Sequence, residues 1–273
     1  MAGTVKPSKE KQPLPLLEFK NVTIIKGNYK KILDAVSVTI HGGENVAILG
    51  PNGAGKSSFI KAITREHYPV SEGRQFSFKI WGQENWDVFD LRNRLGIVTN
   101  GLQHVHTREI SGMDIVLSGF FSSIGLWNQV VTVKMERRAL EVLEFLEIAH
   151  LRERKMTDMS SGEARRFLIA RALVHKPKAL ILDEPTNSLD LHALHIFRKT
   201  LRKIAKSGTS VILVTQSLQD IIPEIDRVIL MKRGRFVFDG PKDTGLTSKK
   251  ISRLFDVPVE ITNKDGYYYA FGY

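Results

Sequence analysis

The sequence predicts an α/β fold with a mostly parallel core sheet, an antiparallel β subdomain and a helical insertion, and three observations lead there. The run Ala179-Leu180-Ile181-Leu182 is apolar without alternation and ends in Asp183 and Glu184. A strand covered on both faces reads this way, and ligands of open α/β sheets gather at its carboxyl end. The apolar run 46–49 leads through a glycine-rich loop into a helical stretch at 57–64, a strand–loop–helix unit. Segments 17–22 and 35–40 alternate, as strands of an antiparallel sheet do.

Along the chain, the first twelve residues are polar, lysine-rich and broken by prolines, so a disordered basic tail is expected over 1–15 in place of a signal peptide. Residues 76–80 add a strand to the antiparallel sheet, and 95–98 another to the core. Residues 115–133 run for nineteen positions without a charge, but Ser118, Gly119, Ser122, Ser123, Gly125, Asn128, Gln129 and Thr132 interrupt them. A bilayer core of about 30 Å needs a more continuous apolar helix, so no membrane span is expected. A helix is expected at 134–149, with Leu140, Leu143, Phe145 and Leu146 at helical spacing, and another at 162–175, ending before Lys176-Pro177. Strands at 211–215, 228–231 and 236–238 continue the sheet. A short helix at 249–254, then strands at 257–261 and 267–271 around the turn Lys264-Asp265-Gly266, are expected to close one edge.

The loop Gly50-Pro51-Asn52-Gly53-Ala54-Gly55-Lys56-Ser57-Ser58 fits G-x-x-x-x-G-K-[ST] in its required place between strand and helix. Its glycines let backbone N–H groups turn toward a phosphate, and the helix start adds its positive dipole end. Lys56 then reaches the β- and γ-phosphates and the Ser57 hydroxyl ligates Mg²⁺. Of the carboxylates delivered by the strand at 179–182, Asp183 suits the magnesium shell and Glu184 the deprotonation of an attacking water. Ser160-x-x-Glu163 is a capping box whose exposed helix start can bind an anion.

These motifs, in the order phosphate loop, Ser160-Ser161-Gly162-Glu163, Asp183-Glu184-Pro185-Thr186 and Ser188-Leu189-Asp190, resemble the ATP-binding subunit of ABC transporters over roughly 16–239. The resemblance implies a P-loop ATPase domain at 16–246 with its helical insertion at 101–165, and a C-terminal extension at 247–273. It implies ATP and Mg²⁺ as ligands, a second copy or a similar subunit as partner, and an integral membrane subunit that the insertion grips. In that family the Ser-rich motif reads the γ-phosphate held by the opposite chain, so two chains sandwich two ATP molecules head to tail. Ser160, Ser161, Gly162, Glu163 and Asp190 therefore join the nucleotide-binding set. Residues 117–126, with Ser160 to Arg166, look most like the molybdate and iron-chelate uptake branch.

Several positions depart from the family pattern. Met159, Ser161 and Glu163 replace residues of the usual Leu-Ser-Gly-Gly-Gln, and a glutamate beside a foreign phosphate is repulsive. Gln216 stands where a histidine normally touches the γ-phosphate; an amide donates a hydrogen bond but shuttles no proton, so slow hydrolysis is expected. The lid glutamine has two candidates, Asn100 in register and Gln103 three places later, of which Gln103 is expected on the magnesium side. Ile25 stands where an aromatic ring normally stacks on adenine, so Tyr29 either substitutes or is a turn-exposed tyrosine. Phe120, Phe121, Leu126 and Trp127 either form a docking patch or pack inward.

Composition bounds the remainder. The chain has 273 residues, 42% of them apolar, which suffices for one large domain. It has no cysteine, which excludes disulfides, thiolate catalysis and cysteine-ligated metal. The net charge of +11 comes from scattered basic residues without a nucleic-acid-binding module, so no nucleic-acid partner is expected. Use of ATP places the protein in the cytoplasm, and the resemblance places it on the inner face of the cell membrane. Two other function classes stay open: a soluble ABC-type ATPase acting on a non-membrane target, and a nucleotide sensor.

Overall fold

The computed structural model describes residues 14–27, 29–71, 75–99 and 109–272. The elements run β1 (Leu17–Lys26), β2 (Lys30–Ile40), β3 (Val46–Leu49), α1 (Lys56–Ile63), β4 (Ser77–Ile80), α2 (Val88–Arg94), β5 (Leu95–Val98), α3 (Gly112–Ser118), α4 (Val133–Phe145), α5 (Ser161–Leu173), β6 (Ala179–Asp183), α6 (Leu191–Lys206), β7 (Ser210–Thr215), β8 (Arg227–Lys232), β9 (Arg235–Pro241), α7 (Lys242–Gly245), α8 (Ser248–Phe255), β10 (Glu260–Lys264) and β11 (Tyr267–Phe271). The core sheet has the order β5-β6-β7-β3-β8-β9, parallel except for β9, which returns along β8. A separate antiparallel sheet, β2-β1-β4, lies on one side.

Every residue of β3, β6 and β7 is buried, which explains the absence of alternation, yet the two faces serve different cores. Val46, Ile48, Ala179, Ile181, Ile212 and Val214 face α1 and the antiparallel sheet. There Phe19 meets Phe59 and Phe78 at ring-centroid distances of 5.0 and 4.3 Å. Each such ring contributes roughly 1.5–3 kcal/mol by leaving water. Ala47, Leu49, Leu180, Leu182, Val211 and Leu213 face α3, α4, α5 and α6.

The insertion begins with α3, capped by Ser111, and continues through α4, capped by Thr132. α3 lies so close to α5 that a Cβ on Gly112 would sit 2.4 Å from Phe167 and one on Gly119 would sit 2.4 Å from the Arg171 carbonyl. The uncharged stretch 115–133 divides into the second half of α3, a tight turn at Gly119–Phe121 and irregular chain. No helix among the described residues is long and apolar enough to cross a membrane. α4 stops at Phe145, short of the expected 149, and Glu147 turns the chain at φ 60°.

The C-terminal strand pair does not close an edge of the core sheet, as the sequence suggests. β10 and β11 form a two-stranded sheet of their own, and Tyr268, 4% exposed, seats the hairpin against the turn Leu218–Asp220. Pro258 lacks an amide donor, and β10 begins only at Glu260.

Candidate nucleotide site

The register places three loops together. β6, β7 and β3 are neighbours, with Asp183 opposite Val214 and Leu49 opposite Thr215. Their carboxyl ends therefore bring Gly50, Asp183, Glu184 and Gln216 to one edge, the crevice where α/β sheets bind ligands. The Gly50 amide donates to the Thr215 carbonyl at 3.2 Å, and the Glu184 amide to the Val214 carbonyl at 2.7 Å.

Two glycines are required by contact and backbone. A Cβ on Gly50 would lie 2.2 Å from the Met231 carbonyl oxygen; Gly55, the N-cap of α1, has φ 107° and would meet the Ile32 carbonyl at 2.7 Å. The loop opens into a pocket of about 530 Å³ lined by Asn52, Gly53, Gly55, Lys56, Ser57, Ser58 and Glu184, with Lys30, Lys31 and Arg233 on its walls. Pro51 and Ala54 complete the turn, the Ala54 amide donating to the Pro51 carbonyl. The pocket combines a helix start, backbone amides and cations, a set suited to phosphates.

Lys56 is 4% exposed, and its Nζ donates to the carbonyls of Gly50 at 2.8 Å and Pro51 at 3.0 Å. The same ammonium pairs with Glu184 Oε1 at 3.2 Å. Glu184 has φ 44°, in the left-handed region, and its other oxygen accepts a hydrogen bond from Asn187 Nδ2 at 2.8 Å. A non-glycine residue held there costs roughly 1–3 kcal/mol and clusters at functional sites.

Asp183 is 5% exposed, and its carboxyl is pushed up to about 6. Burial is the main cause and the Glu184 carboxylate adds to it, while Lys56 and the hydrogen-bonded Ser57 hydroxyl oppose. Among the described residues, Asp183 Oδ1 is buried without a hydrogen-bond partner. A buried orphan carboxylate oxygen beside a hydroxyl is a hard donor set that fits Mg²⁺, which typically takes one or two protein oxygens and completes its shell with phosphates and water.

Sequence reasoning missed the support beneath this edge. Asp220, 1% exposed, accepts hydrogen bonds from the Thr186 hydroxyl at 2.6 Å and from the Thr215 hydroxyl, and the Ser217 amide donates to Thr215 Oγ1 at 2.9 Å. Burial raises the Asp220 pKa and the two hydroxyls pull it back. This network ties the loop of half-buried Gln216 to the loop that follows Glu184. The only sequence signal is an acid four residues beyond Gln216, with no motif to mark it.

Ser160, Ser161, Gly162 and Glu163 do not line the pocket. Ser160 caps α5: its Oγ accepts from the Glu163 amide at 3.2 Å while Glu163 Oε2 accepts from the Ser160 amide at 2.8 Å. Arg154 lies 3.7 Å from the other Glu163 oxygen. Burial pushes the Glu163 pKa up, but the Ser160 hydrogen bonds and Arg154 outweigh it and hold it low. The expected repulsion is thus countered, because the carboxylate is turned onto its own helix start and screened by a cation. Ser161 Oγ donates to the Ser188 carbonyl at 3.4 Å, and Asp190 caps α6 by accepting from the Ala193 amide at 2.7 Å.

The remaining expectations separate. Tyr29 is 89% exposed with φ 59° beside the pocket wall, and does not line the pocket. Asn100 and Gln103 lie outside the described residues. Of the expected apolar patch, only Trp127 is exposed, at 71%. Phe120 and Leu126 pack against the core, Phe120 edge-on to His175, and Phe121 is half-buried.

Comparison with known proteins agrees with this geometry. Residues 33–187 match the family described as ABC transporter. The uncharacterized ABC transporter ATP-binding protein YlmA of Bacillus subtilis (strain 168) is 32% identical over 248 residues, covering 90% of this chain and 93% of its own. The hemin import ATP-binding protein HmuV of Bradyrhizobium diazoefficiens is 31% identical over 254 residues, covering 88% of each chain. A solved dimeric ATP-binding cassette in a post-hydrolysis state, bound to ADP and Pi, is 25% identical with a TM-score of 0.67, covering 82% of this chain and 98% of that one. A phosphate loop on the carboxyl edge, a Ser-rich helix start outside the pocket and these likenesses give one conclusion: the chain belongs to the ABC transporter family as an ATP-binding subunit, which binds and hydrolyses ATP to power transport.

Proposed function

We propose that residues 50–58 hold the phosphates of ATP, with Lys56 as their ammonium partner, Ser57 and Asp183 as magnesium ligands and Glu184 as the base for the attacking water. The observation that carries this reading is the convergence of Lys56, Ser57, Asp183 and Glu184 on one sheet edge, with Lys56 and Glu184 3.2 Å apart. Magnesium held by Ser57 and Asp183 would offset the negative charge of the phosphates. An entering γ-phosphate replaces Glu184 as the anion facing Lys56, which leaves the carboxylate to accept a proton from water. Asn187 and the constrained backbone keep that carboxylate in place.

Gln216 donates a hydrogen bond to the γ-phosphate and moves no proton. Gln216→His is therefore expected to raise turnover at saturating ATP about tenfold, less than the roughly 100-fold at the lower end of what a positioned acid–base group contributes, because Glu184 remains the base for water. Phosphate release measures it; unchanged turnover contradicts the role. Ser160, Ser161, Gly162 and Glu163 act on the ATP of the partner chain, the amides at the start of α5 facing its γ-phosphate. Asp190 shapes the loop against which Ser161 rests.

The membrane partner docks, in this reading, in a cleft of about 290 Å³ between the core sheet and the insertion, lined by Thr64, Glu66, Gly96, Thr99, Ile124 and Arg171. Trp127 is joined to its rim through a 3.0 Å hydrogen bond to the Ile124 carbonyl. In this reading the protein sits on the cytoplasmic face of the membrane, and the likeness to a hemin import subunit supports the iron-chelate side of the uptake branch. Gentle extraction from native cells is expected to recover the protein with an integral membrane protein, and Trp127→Asp to reduce that recovery severalfold. Recovery free of membrane proteins in both cases contradicts the docking site.

A further inference from the structure

Basic residues that are scattered in the sequence are gathered by the fold into one groove of about 810 Å³ between α6 and the C-terminal hairpin. α6 supplies Arg198, Lys199, Arg202, Lys203 and Lys206 along one wall. At 1.5 Å per residue this stripe runs about 12 Å. The hairpin supplies the other wall. Lys264 stands opposite Tyr267, and Thr262 opposite Tyr269, so these four share one face of the hairpin, while buried Tyr268 occupies the other.

The charges do not cancel. Lys199 and Lys203 pair with Glu147, each at 3.2 Å, and Arg202 and Lys206 pair with Glu224 at 2.8 and 3.4 Å. With Asp265, that sets three carboxylates against six cations. The Arg198 guanidinium covers the Tyr267 ring at 4.8 Å, and half-buried Tyr269 lines the groove beside it.

We propose that this groove binds single-stranded nucleic acid, with the α6 cations following the phosphates and Tyr269 stacking on a base. A positive groove that tracks a backbone, with aromatic side chains on its wall, is the general solution for unpaired strands. The stripe matches about three stacked nucleotides at ~3.4 Å each. An anionic bilayer is a broad surface that cannot follow a concave channel, and cationic side chains alone would not require the tyrosine wall. None of these residues lines the ATP pocket, so the function is separate from hydrolysis.

The test is fluorescence anisotropy of the full chain with short labelled RNA and DNA of one sequence, in saturating Mg-ATP so that the phosphate loop cannot supply the anion site. Binding is expected at about 100 mM KCl with a log–log salt slope of about −2, as for three phosphate contacts on a single strand. Tyr269→Ala is expected to weaken binding about tenfold with the slope unchanged, and Tyr269→Phe to keep it within about twofold. Lys264→Glu with Lys206→Glu is expected to weaken it more than about tenfold and flatten the slope, while Lys134→Glu with Arg137→Glu, on α4, has little effect. ATP turnover without nucleic acid stays unchanged in all four. The proposal is overturned if no strand binds, if the α4 control weakens binding as much as the groove variant, if Tyr269→Ala matches wild type, or if only phosphatidylserine vesicles retain the protein.

Discussion

Glu184→Gln is expected to lower ATP turnover at least about 100-fold while leaving ATP binding intact, because the amide keeps the shape of the side chain but accepts no proton. The φ of 44° is tolerated by glutamine as by glutamate, and Asn187 still has an oxygen to bond. The substitution also removes the anion that holds Lys56 at 3.2 Å, so the ammonium turns to phosphate without competition. With cleavage blocked and phosphate contacts strengthened, the ATP-bound pair persists. Light scattering with Mg-ATP is expected to show twice the 30.8 kDa chain mass for Glu184→Gln, and the single-chain mass without nucleotide. Turnover within about tenfold of wild type would remove Glu184 from the role of base.

Asp183→Asn is the second large effect, and it acts in opposite directions on stability and activity. The native carboxyl titrates at about 6, above the ordinary value of about 3.9 in the unfolded chain. Between those values the folded protein holds the extra proton, so this group's stabilisation is complete below about pH 4 and is lost as pH rises through 6. Above pH 6 the folded state carries a buried carboxylate beside Glu184, at a cost of about 2–3 kcal/mol. The amide of the variant carries no charge there. In EDTA at pH 7.5 the variant is expected to melt about 4–8 °C above wild type, with the gap closing toward pH 5. Its magnesium-dependent hydrolysis is expected to fall at least about 100-fold. A lower Tm than wild type at pH 7.5 would contradict the desolvation account.

The sequence makes legible what depends on neighbouring residues. The turn demands of Gly50 and Gly55, the capping box of Ser160 and Glu163, and the doubly covered strand before Asp183 are local patterns, and the structure contains each. Strand register is not local. The pair Lys56–Glu184 joins residues that follow two strands separated by β7, and the Asp220 network joins two loops whose spacing carries no motif. Hydrophobic identity alone also leaves orientation open: Phe120 and Trp127 have similar polarity, yet one packs on His175 and the other faces water. Likewise Lys264 and Arg198 look scattered until the hairpin folds back on α6.

The most direct test of the head-to-tail site is mixing of two silent variants. Lys56→Ala removes the phosphate ammonium and Ser160→Arg obstructs the helix start that faces the partner's phosphate, so each alone is expected to lack turnover. A mixed pair rebuilds one complete site from Lys56 of one chain and Ser160 of the other. Equal mixing is expected to restore up to about a quarter of wild-type turnover, since half the pairs are mixed and each holds one of two sites. No recovery on mixing, with mixed pairs shown to form, would contradict a site shared between chains.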